Sequence, residues 1–405
     1  MGNIPEYITA VADTLEAAGY DAYLVGGCVR DAALSKTPDD YDMTTNAKPR
    51  DMLRVFDGWR VIETGLKHGT LTVVSDGKCV EVTTYRIDGV YADNRHPTEV
   101  TFTDDITLDL SRRDFTVNAM AYSTSRGLCD PFGGMGHLAE ERIVCVGDPV
   151  ARFNEDGLRI LRGLRFASVL DFEIDPLTAD AIRDRKALLG GISKERIFVE
   201  LFKLLCGRGV ARITDAFGDV LELCGDGVSA DAFREASDSL VSLPEKDSAC
   251  RVAYLCRLEA DKAGADARSL ASAYCRSLKT SAAFMRRCAN LAQVSGEPIP
   301  VSRSDVKRLM GRLDPLDISA YAAMRRALYG EDAESERLLA DVCRLAEENP
   351  CVKVSQLALN GSDVMKIKGV RGAEVGRLLD ALLDAVITER IPNTADSLAR
   401  ELESM

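Results

Sequence analysis

The sequence predicts an α+β protein in which a small N-terminal sheet domain precedes an all-helical remainder. Segments of strand length and an Asp-Gly turn signal are recognisable only before Asp148-Pro149. After that dipeptide the apolar residues recur at helical spacing, and no strand is expected. The chain has 405 residues, which suffices for about two to four domains with separate cores.

Composition and charge are those of an ordinary globular protein. Hydrophobic residues make up 46% and charged residues 28% of the chain. No apolar run approaches the roughly 20 residues that a membrane span needs, and residues 1–6 lack the features of a secretion signal. We therefore expect a cytoplasmic protein with no membrane partner. The net charge of −13 requires any RNA contact to come from a local basic surface.

Cysteine and histidine usage argues against a zinc centre and a disulfide framework. The twelve cysteines are scattered, and no two form a Cys-x-x-Cys motif. Cys206, Cys256 and Cys343 stand in apolar helical surroundings, so we expect reduced core residues. The chain has three histidines and none after His137, which excludes a histidine-based metal centre in the C-terminal half.

A glycine turn follows the first predicted strand. Residues 8–18 are amphipathic and predict a helix, and residues 22–25 predict a short apolar strand. Gly26 and Gly27 allow a sharp turn that exposes backbone N–H groups, a geometry suited to phosphate oxygens. Arg30 follows at the start of a predicted helix, where its guanidinium can contact a phosphate with two donors.

Two carboxylates come next on a predicted extended segment. Asp40 and Asp42 are two residues apart, so their side chains are expected on one face. Paired carboxylates suit Mg²⁺, which binds a few carboxylates together with phosphates. A Gly-Gly turn or an acidic strand end taken alone is usually only structural. Their order within residues 22–42 favours chemistry on a nucleoside triphosphate.

A β-hairpin supplies a candidate third carboxylate. Residues 71–86 predict two strands with a turn at Asp76-Gly77, and Glu81 lies on the second strand. An alternative interpretation is that Glu81 is a solvated charge at a strand edge. A further short hairpin is predicted around residues 142–146.

Two more motifs combine arginines with carboxylates. In residues 111–121, Arg113 precedes an Asp114/Asn118 pair that can brace the end of a helix or strand. Residues 155–166 predict one helix with a charged stripe at three-residue spacing, formed by Asp156, Arg159, Arg162 and Arg165. Such a stripe is ordinarily a solvated face. The two glycines of this segment, each costing about 1 kcal/mol relative to alanine, favour a functional surface instead.

These motifs resemble the bacterial class II tRNA nucleotidyltransferase and poly(A) polymerase family. The resemblance is carried mainly by residues 24–31, 40–49 and 152–166. It implies a nucleotidyltransferase head followed by three helical parts. The expected divisions are a head at residues 1–147, a neck at 148–215, a body at 216–335 and a tail at 336–405.

The resemblance implies template-independent addition of C, C and A to the 3′ end of tRNA, from CTP and ATP, with release of pyrophosphate. Asp40 and Asp42 would bind Mg²⁺, and Glu81 would be a further catalytic carboxylate. The implied nucleotide-binding residues are Gly27, Arg30, Arg113, Asp156, Arg159, Arg162 and Arg165. Among them Asp156 and Arg159 would read the base edge, and Gly27 and Arg30 would hold the triphosphate.

Alternative functions stay open at this point. One is a poly(A) polymerase or an enzyme that adds only CC or only A; another is an RNA-binding protein on an inactive scaffold. Residues 88–97 resemble a loop of the complete CCA-adding members, and His68-Gly69-Thr70 matches the nucleotidyltransferases better. The metal and arginine positions are intact, which argues against an inactive scaffold. No protein partner is implied.

The C-terminal half carries a basic set that is expected to follow an RNA backbone. Its members are Arg276, Lys279, Arg286, Arg287, Arg303, Lys307, Arg308, Arg325 and Arg326. In the tail, Gly369, Gly372 and Gly376 are expected before a long amphipathic helix, in a helix-turn-helix whose backbone N–H groups would face phosphates.

Overall fold

The computed structural model describes residues 4–89, 100–313, 315–330 and 333–405. Most of the loop expected at residues 88–97 lies outside this part of the chain. The chain forms two compact units, Met1–Asp226 and Gly227–Met405. The finer division into head, neck, body and tail stays a prediction.

A mixed sheet of seven strands forms the core of the first unit, in the order β3-β4-β5-β2-β1-β8-β9. The separate pairs β6-β7 and β10-β11 complete the strands of the described chain. The strands are β1 (Tyr23–Val25), β2 (Asp42–Thr45), β3 (Arg60–Ile62), β4 (Thr70–Ser75), β5 (Lys78–Thr84), β6 (Arg86–Asp88), β7 (Val100–Phe102), β8 (Ala121–Ser123), β9 (Gly127–Cys129), β10 (Arg142–Ile143) and β11 (Glu173–Ile174).

The predicted hairpin is confirmed as β4 and β5. Leu71 and Val73 alternate with half-buried residues and are fully buried, as expected for a strand with one face on the core. The turn uses Asp76 and Gly77, both with positive φ (48° and 72°), which matches the twist of the two strands.

The centre of the sheet fixes the position of the acidic strand. β2 pairs antiparallel with β1 and parallel with β5, so that Asp42 stands opposite Glu81 and Met43 opposite Val82. Met43 and Val82 are buried on the other face. Because side chains alternate along a strand, burial of this pair holds Asp42 and Glu81 together on the opposite face.

Helices cover the sheet and continue the first unit beyond it. They are α1 (Glu6–Ala17), α2 (Gly27–Ala33), α3 (Pro49–Val55), α4 (Ile106–Ser111), α5 (Gly134–Ala139), α6 (Pro149–Glu155), α7 (Leu158–Leu170), α8 (Pro176–Arg185), α9 (Lys194–Leu205) and α10 (Val210–Leu221). The predicted helix and strand at the N-terminus are therefore confirmed as α1 and β1.

The expectation of one continuous helix over residues 155–166 is wrong. α6 ends at Glu155, Asp156 is extended (φ −143°, ψ 105°), and α7 begins at Leu158. The Asp156 carboxylate accepts a hydrogen bond from the Leu158 N–H at 3.0 Å. This bond satisfies a donor in the first turn of α7, so the aspartate starts a new helix.

The hairpin expected at residues 142–146 is also wrong, and the helical remainder contains a strand. β10 pairs in parallel with β11, which lies between α7 and α8. The backbone N–H of Glu173 donates to the Glu141 carbonyl at 2.8 Å, and that of Asp175 to the Ile143 carbonyl at 3.0 Å. Two-residue strands have no periodicity that a sequence could reveal.

The second unit is helical throughout its described residues. Its helices are α11 (Ala230–Glu235), α12 (Ser237–Ser242), α13 (Ser248–Ala263), α14 (Ala267–Ser277), α15 (Ala282–Val294), α16 (Arg303–Arg312), α17 (Pro315–Tyr329), α18 (Ala333–Glu347), α19 (Gly361–Lys368), α20 (Ala373–Ile387) and α21 (Ala395–Ser404). Nowhere in the described chain does a helix combine the length and apolar character that crossing a membrane requires.

The predicted glycine turn of the tail is shorter than expected, and two cysteines are less buried than expected. Gly376 lies inside α20, so only Gly369 and Gly372 form the turn before it. All twelve cysteines are free thiols. Cys256 is buried as expected, but Cys206 is only partly buried and Cys343 is exposed.

Much of the predicted basic set is paired with acids inside the second unit. Lys307 contacts Glu389 at 2.7 Å, and Arg308 contacts Asp384 at 2.8 Å. Three more members have partners within the unit: Arg287 with Asp247 and Asp317, Arg303 with Glu348 and Glu389, and Arg325 with the carbonyls of Ser295 and Glu297. Carboxylates therefore balance the charge of four of these five residues, whereas Arg325 donates to uncharged carbonyls.

Gly163 permits a close approach between α7 and the sheet domain. A Cβ at this position would lie 2.9 Å from Cζ of Phe115, a fully buried ring. A Cβ at Gly376 would meet no atom within 4 Å. Both glycines are inside helices, so only packing distinguishes them.

We expect Gly163→Ala to lower the free energy of unfolding by about 1–2 kcal/mol, because overpacking outweighs the gain in helix propensity. The matched variant Gly376→Ala should raise it by up to about 1 kcal/mol. Equilibrium urea unfolding of the full chain measures both. A Gly163→Ala protein as stable as the parent would contradict the close packing.

Candidate active site

Carboxylates gather at one end of the central strands. Asp42 begins β2 and is paired with Glu81 on β5, and Asp40 precedes Asp42 by two residues. Partial burial of the Asp42 carboxylate raises its pKa, and repulsion from Glu81 and Asp40 raises it further, while Arg113 opposes the shift. The site therefore concentrates negative charge that a cation would neutralise.

This donor set fits a hard divalent cation. Carboxylate oxygens are the ligands that Mg²⁺ prefers, and Mg²⁺ completes its shell with water and phosphate oxygens. In the described residues no three His, Cys, Asp or Glu side chains converge as a protein-only metal cage. A metal held here by one or two carboxylates would thus keep coordination positions for a substrate.

The glycine turn lies beside the carboxylates. Gly26 has φ 76°, and a Cβ there would come within 3.1 Å of Nη1 of Arg113. Gly27 begins α2, and Arg30 follows one turn later. Arg30 donates from Nη1 to Oδ1 of Asn118 at 2.7 Å and from Nε to Oδ1 of Asp31 at 2.9 Å.

Arg113 occupies the space between the glycine turn and the carboxylates. Its Nη2 lies 3.8 Å from Oδ2 of the fully buried Asp109, and its charge opposes the rise in the pKa of Asp42. Burial lowers the pKa of Arg113, and the Asp109 carboxylate counteracts this. The Nε of Arg113 is buried without a hydrogen-bond partner in the described structure.

Three arginines surround one aromatic ring. The guanidinium carbons of Arg30 and Arg162 each lie 5.4 Å from the Phe166 ring centroid, and that of Arg165 lies 3.7 Å from it. We call these four residues the Phe166 cluster. The ring face attracts each cation, but three guanidiniums in one place favour an anionic ligand.

Three carboxylates offset this charge: Asp31 pairs with Arg30, and the buried Asp114 and Glu200 pair with the other two arginines. Arg162 donates from Nε to Oδ2 of Asp114 at 2.8 Å, and Arg165 forms an ion pair with Glu200 on α9. Asp114 is 8% exposed, and Arg162 more than compensates for its burial, lowering the pKa of Asp114 to about 2. Asp114 is therefore ionised at neutral pH.

Asp156 stands at the break between α6 and α7 with both carboxylate oxygens engaged. Oδ1 accepts from the Leu158 N–H, and Oδ2 accepts from Nη2 of Arg196 at 2.8 Å. The expected stripe is consequently modified, because Asp156 precedes the helix that carries Arg159, Arg162 and Arg165. Each carboxylate oxygen retains a lone pair for a further donor.

Arg159 is buried, although the sequence places it on a charged helix stripe of the kind that is ordinarily solvated. It is 8% exposed and donates to the carbonyls of Arg112 (2.9 Å) and Arg152 (3.2 Å), and to Glu155 (2.5 Å). A guanidinium has five donors, so part of its capacity remains. The backbone N–H of Arg159 donates to the Asp156 carbonyl at 3.0 Å, whereas the Arg159 guanidinium forms no bond to the Asp156 carboxylate in the described structure.

The first unit thus connects most of the predicted residues through shared contacts. Asp40, Asp42, Glu81 and Arg113 interact electrostatically, Gly26 brings the glycine turn next to Arg113, and a chain of hydrogen bonds joins Arg30 to Arg162.

Sequence reasoning missed Phe166 and Glu200. Glu200 could have been recognised from the sequence. It lies among Ile197, Leu201 and Leu204 on the buried side of α9, where a carboxylate requires a partner. Phe166 was harder to recognise as a site residue, because a single aromatic residue in an amphipathic helix is usually a core residue.

The comparisons with known proteins agree with this architecture. Residues 22–144 match the family described as "Poly A polymerase head domain", and residues 171–215 match "Probable RNA and SrmB- binding site of polymerase A". The CCA-adding enzyme of Lactiplantibacillus plantarum is 33% identical over 402 residues, which cover 96% of this chain and 93% of that protein. That of Streptococcus gordonii is 32% identical over 399 residues, with 96% and 94% covered.

A solved structure extends the similarity to the fold of the whole chain. The crystal structure of the Bacillus stearothermophilus CCA-adding enzyme in complex with CTP matches with a TM-score of 0.82 and 29% identity, covering 99% of this chain and 98% of that one. The resemblance seen in the sequence motifs is confirmed over nearly the full length. The chain belongs to the family of bacterial CCA-adding tRNA nucleotidyltransferases and poly(A) polymerases.

Proposed function

We propose that this chain adds C, C and A to the 3′ end of tRNA without a nucleic-acid template, using CTP and ATP and releasing pyrophosphate. The observation that carries this proposal is that the Asp42/Glu81 pair and the Phe166 cluster occur in one compact unit. The relatives that this chain matches over nearly its full length are CCA-adding enzymes. Because its substrate is tRNA, we place the reaction in the cytoplasm.

Asp40 and Asp42 are the proposed Mg²⁺ ligands, and Glu81 is the adjacent catalytic carboxylate. Bound Mg²⁺ would lower the pKa of the attacking 3′ hydroxyl and neutralise charge on the transferred phosphate. Burial raises the pKa of Asp42, and repulsion from Glu81 and Asp40 raises it further; the second effect supports the assignment, because a bound cation would relieve that repulsion. Glu81 adds to that negative potential from the neighbouring strand.

The triphosphate is assigned to Gly27, Arg30, Arg162 and Arg165. Backbone N–H groups at the glycine turn would donate to phosphate oxygens, and the arginines of the Phe166 cluster would balance the charge of the leaving pyrophosphate. The cluster already holds these guanidiniums in place by ion pairs and ring contacts, so little ordering remains when the ligand binds. Arg113 is assigned to the nucleotide because its buried Nε has no other acceptor in the described structure.

Asp156 and Arg159 are assigned to the base. C and A share an exocyclic amino group beside a ring-nitrogen acceptor; Asp156 would accept from the amino group, and Arg159 would donate to the ring nitrogen. U and G present a carbonyl and a ring N–H at these positions, so the same pair would leave buried groups unpaired. The fixed Asp156 carboxylate supports this role, because a template must keep its orientation.

The activity itself is tested with three tRNA substrates that end before CCA, after the first C and after the second C. Each is incubated with CTP alone, ATP alone and both, and the products are sequenced. We expect C and C from CTP, one A after the second C, and no further addition. A long run of A would instead identify a poly(A) polymerase, and an arrest after CC would identify a partial enzyme.

Substitution of the carboxylates tests the proposed metal site. Asp42→Asn should reduce nucleotide addition about a thousandfold or more, because the site loses charge that binds the cation. Its melting temperature in EDTA should be unchanged or slightly higher, since repulsion from Glu81 and Asp40 is relieved. Primer extension and differential scanning fluorimetry measure the two effects.

Mg²⁺ provides a control that does not depend on turnover. It should raise the melting temperature of the parent protein and have little effect on Asp42→Asn. Glu81→Gln tests the third carboxylate separately and should lower the rate while the fold persists. An unchanged rate would make Glu81 a strand-edge charge, and an active Asp42→Asn protein would place the metal elsewhere.

A further prediction concerns the selection of CTP and ATP over UTP and GTP. Asp156→Ala should raise the kcat/KM for UTP or GTP relative to CTP and ATP by about tenfold or more, because the acceptor that rejects their carbonyl is removed. Steady-state kcat/KM for all four nucleotides measures this ratio.

The kcat/KM values for the four nucleotides distinguish base recognition by Asp156 from a purely structural role. If all four kcat/KM values fall by one common factor, Asp156 serves only to start α7 and to bind Arg196. Ser193→Ala is a suitable control, because Ser193 precedes α9 without a side-chain cap and should leave the nucleotide ratios unchanged.

A further inference from the structure

Asn118 lies between two arginines that the proposed function assigns to the triphosphate. It belongs to the short 3₁₀ turn Thr116–Asn118 and is 6% exposed. Its Oδ1 accepts from Nη1 of Arg30 at 2.7 Å, and its Nδ2 faces Oδ1 of Asp114 at 3.4 Å. Asp114 in turn accepts from Nε of Arg162 at 2.8 Å.

These contacts form one continuous chain, Arg30–Asn118–Asp114–Arg162, which joins α2 to α7. The two guanidiniums at its ends lie over the same Phe166 ring. Their like charges repel each other, and the ring contact alone does not set their orientation. Asp31 accepts from Nε and Nη2 of Arg30 at 2.9 and 2.8 Å, and Asn118 accepts from its remaining nitrogen Nη1, so the two together orient this guanidinium. Asp114 orients that of Arg162.

The chemistry of the neighbours explains why the middle position is an amide. Arg30 can only donate, and the ionised Asp114 can only accept. A carboxylate at position 118 would face Asp114 with like charge, and an aliphatic side chain would remove one hydrogen bond from each neighbour. An amide supplies an acceptor to one side and a donor to the other.

We propose that Asn118 is a positioning residue for nucleoside triphosphate binding, which holds the Arg30 guanidinium in its phosphate-binding orientation and couples it to Arg162. This inference rests on the proposed function, and specifically on the assignment of Arg30 to the triphosphate. Asn118 itself contacts no reacting atom; it acts through Arg30. Its effect on substrate binding must therefore disappear when Arg30 is absent.

A double-mutant cycle tests this dependence. The KM for CTP is measured with saturating tRNA for the parent, Asn118→Ala, Arg30→Ala and the double variant. We expect Asn118→Ala to raise the KM for CTP about tenfold, with the KM for tRNA unchanged, because one hydrogen bond to a charged group is lost. In the Arg30→Ala background the same substitution should change the KM for CTP by less than about twofold.

The design separates this role from loss of stability. KM does not depend on the concentration of folded enzyme, so partial unfolding lowers the apparent kcat without imitating the expected result. Asn118→Leu repeats the comparison with a side chain of similar volume. Ser123→Ala is the matched control: Ser123 is 2% exposed in the same sheet domain, and its bonds go to Glu16 and Ser125.

The possible outcomes are distinguishable. A tenfold effect in the parent that vanishes without Arg30 supports the inference. Equal effects in both backgrounds, or none in either, overturn it while the proposed function stands. If Arg30→Ala itself leaves the KM for CTP unchanged, the assignment of Arg30 fails, and the inference falls with it.

Discussion

The parallel pairing of β2 with β5 is the constraint on which the site depends. Asp42 stands opposite Glu81 because the next pair, Met43 and Val82, is buried in the core. A shift of one residue would bury a carboxylate and expose an apolar side chain, so the hydrophobic core enforces the register. The favourable burial of Met43 and Val82 therefore outweighs the repulsion between the Asp42 and Glu81 carboxylates.

The arginines are held by the complementary arrangement. The Phe166 cluster brings three cations to one ring, and Asp31, Asp114 and Glu200 each pair with one of them. Mutually repelling carboxylates and an array of guanidinium donors thus coexist in one unit. A nucleoside triphosphate with a divalent cation has the charge distribution that complements both.

The sequence was informative where local chemistry determines structure. Asp76-Gly77 specified the hairpin turn, which led to Glu81 on the second strand. It was uninformative where a residue's role depends on distant partners. Asp156 is compatible with a helix interior, and only its bonds to the Leu158 N–H and to Arg196 reveal a helix start. Gly163 suggested a weakened helix, whereas the buried Phe115 ring accounts for it.

The ion pairs of the second unit affect how strongly the binding of a polyanion depends on salt concentration. Arg308 and Lys307 already have carboxylate partners in Asp384 and Glu389, so these acids act as counterions that are part of the protein. A phosphate that docks on either cation displaces a tethered carboxylate, and the number of small ions released to solvent changes little. The logarithm of affinity for a polyanion on this surface should consequently vary less steeply with salt than the count of arginines and lysines suggests.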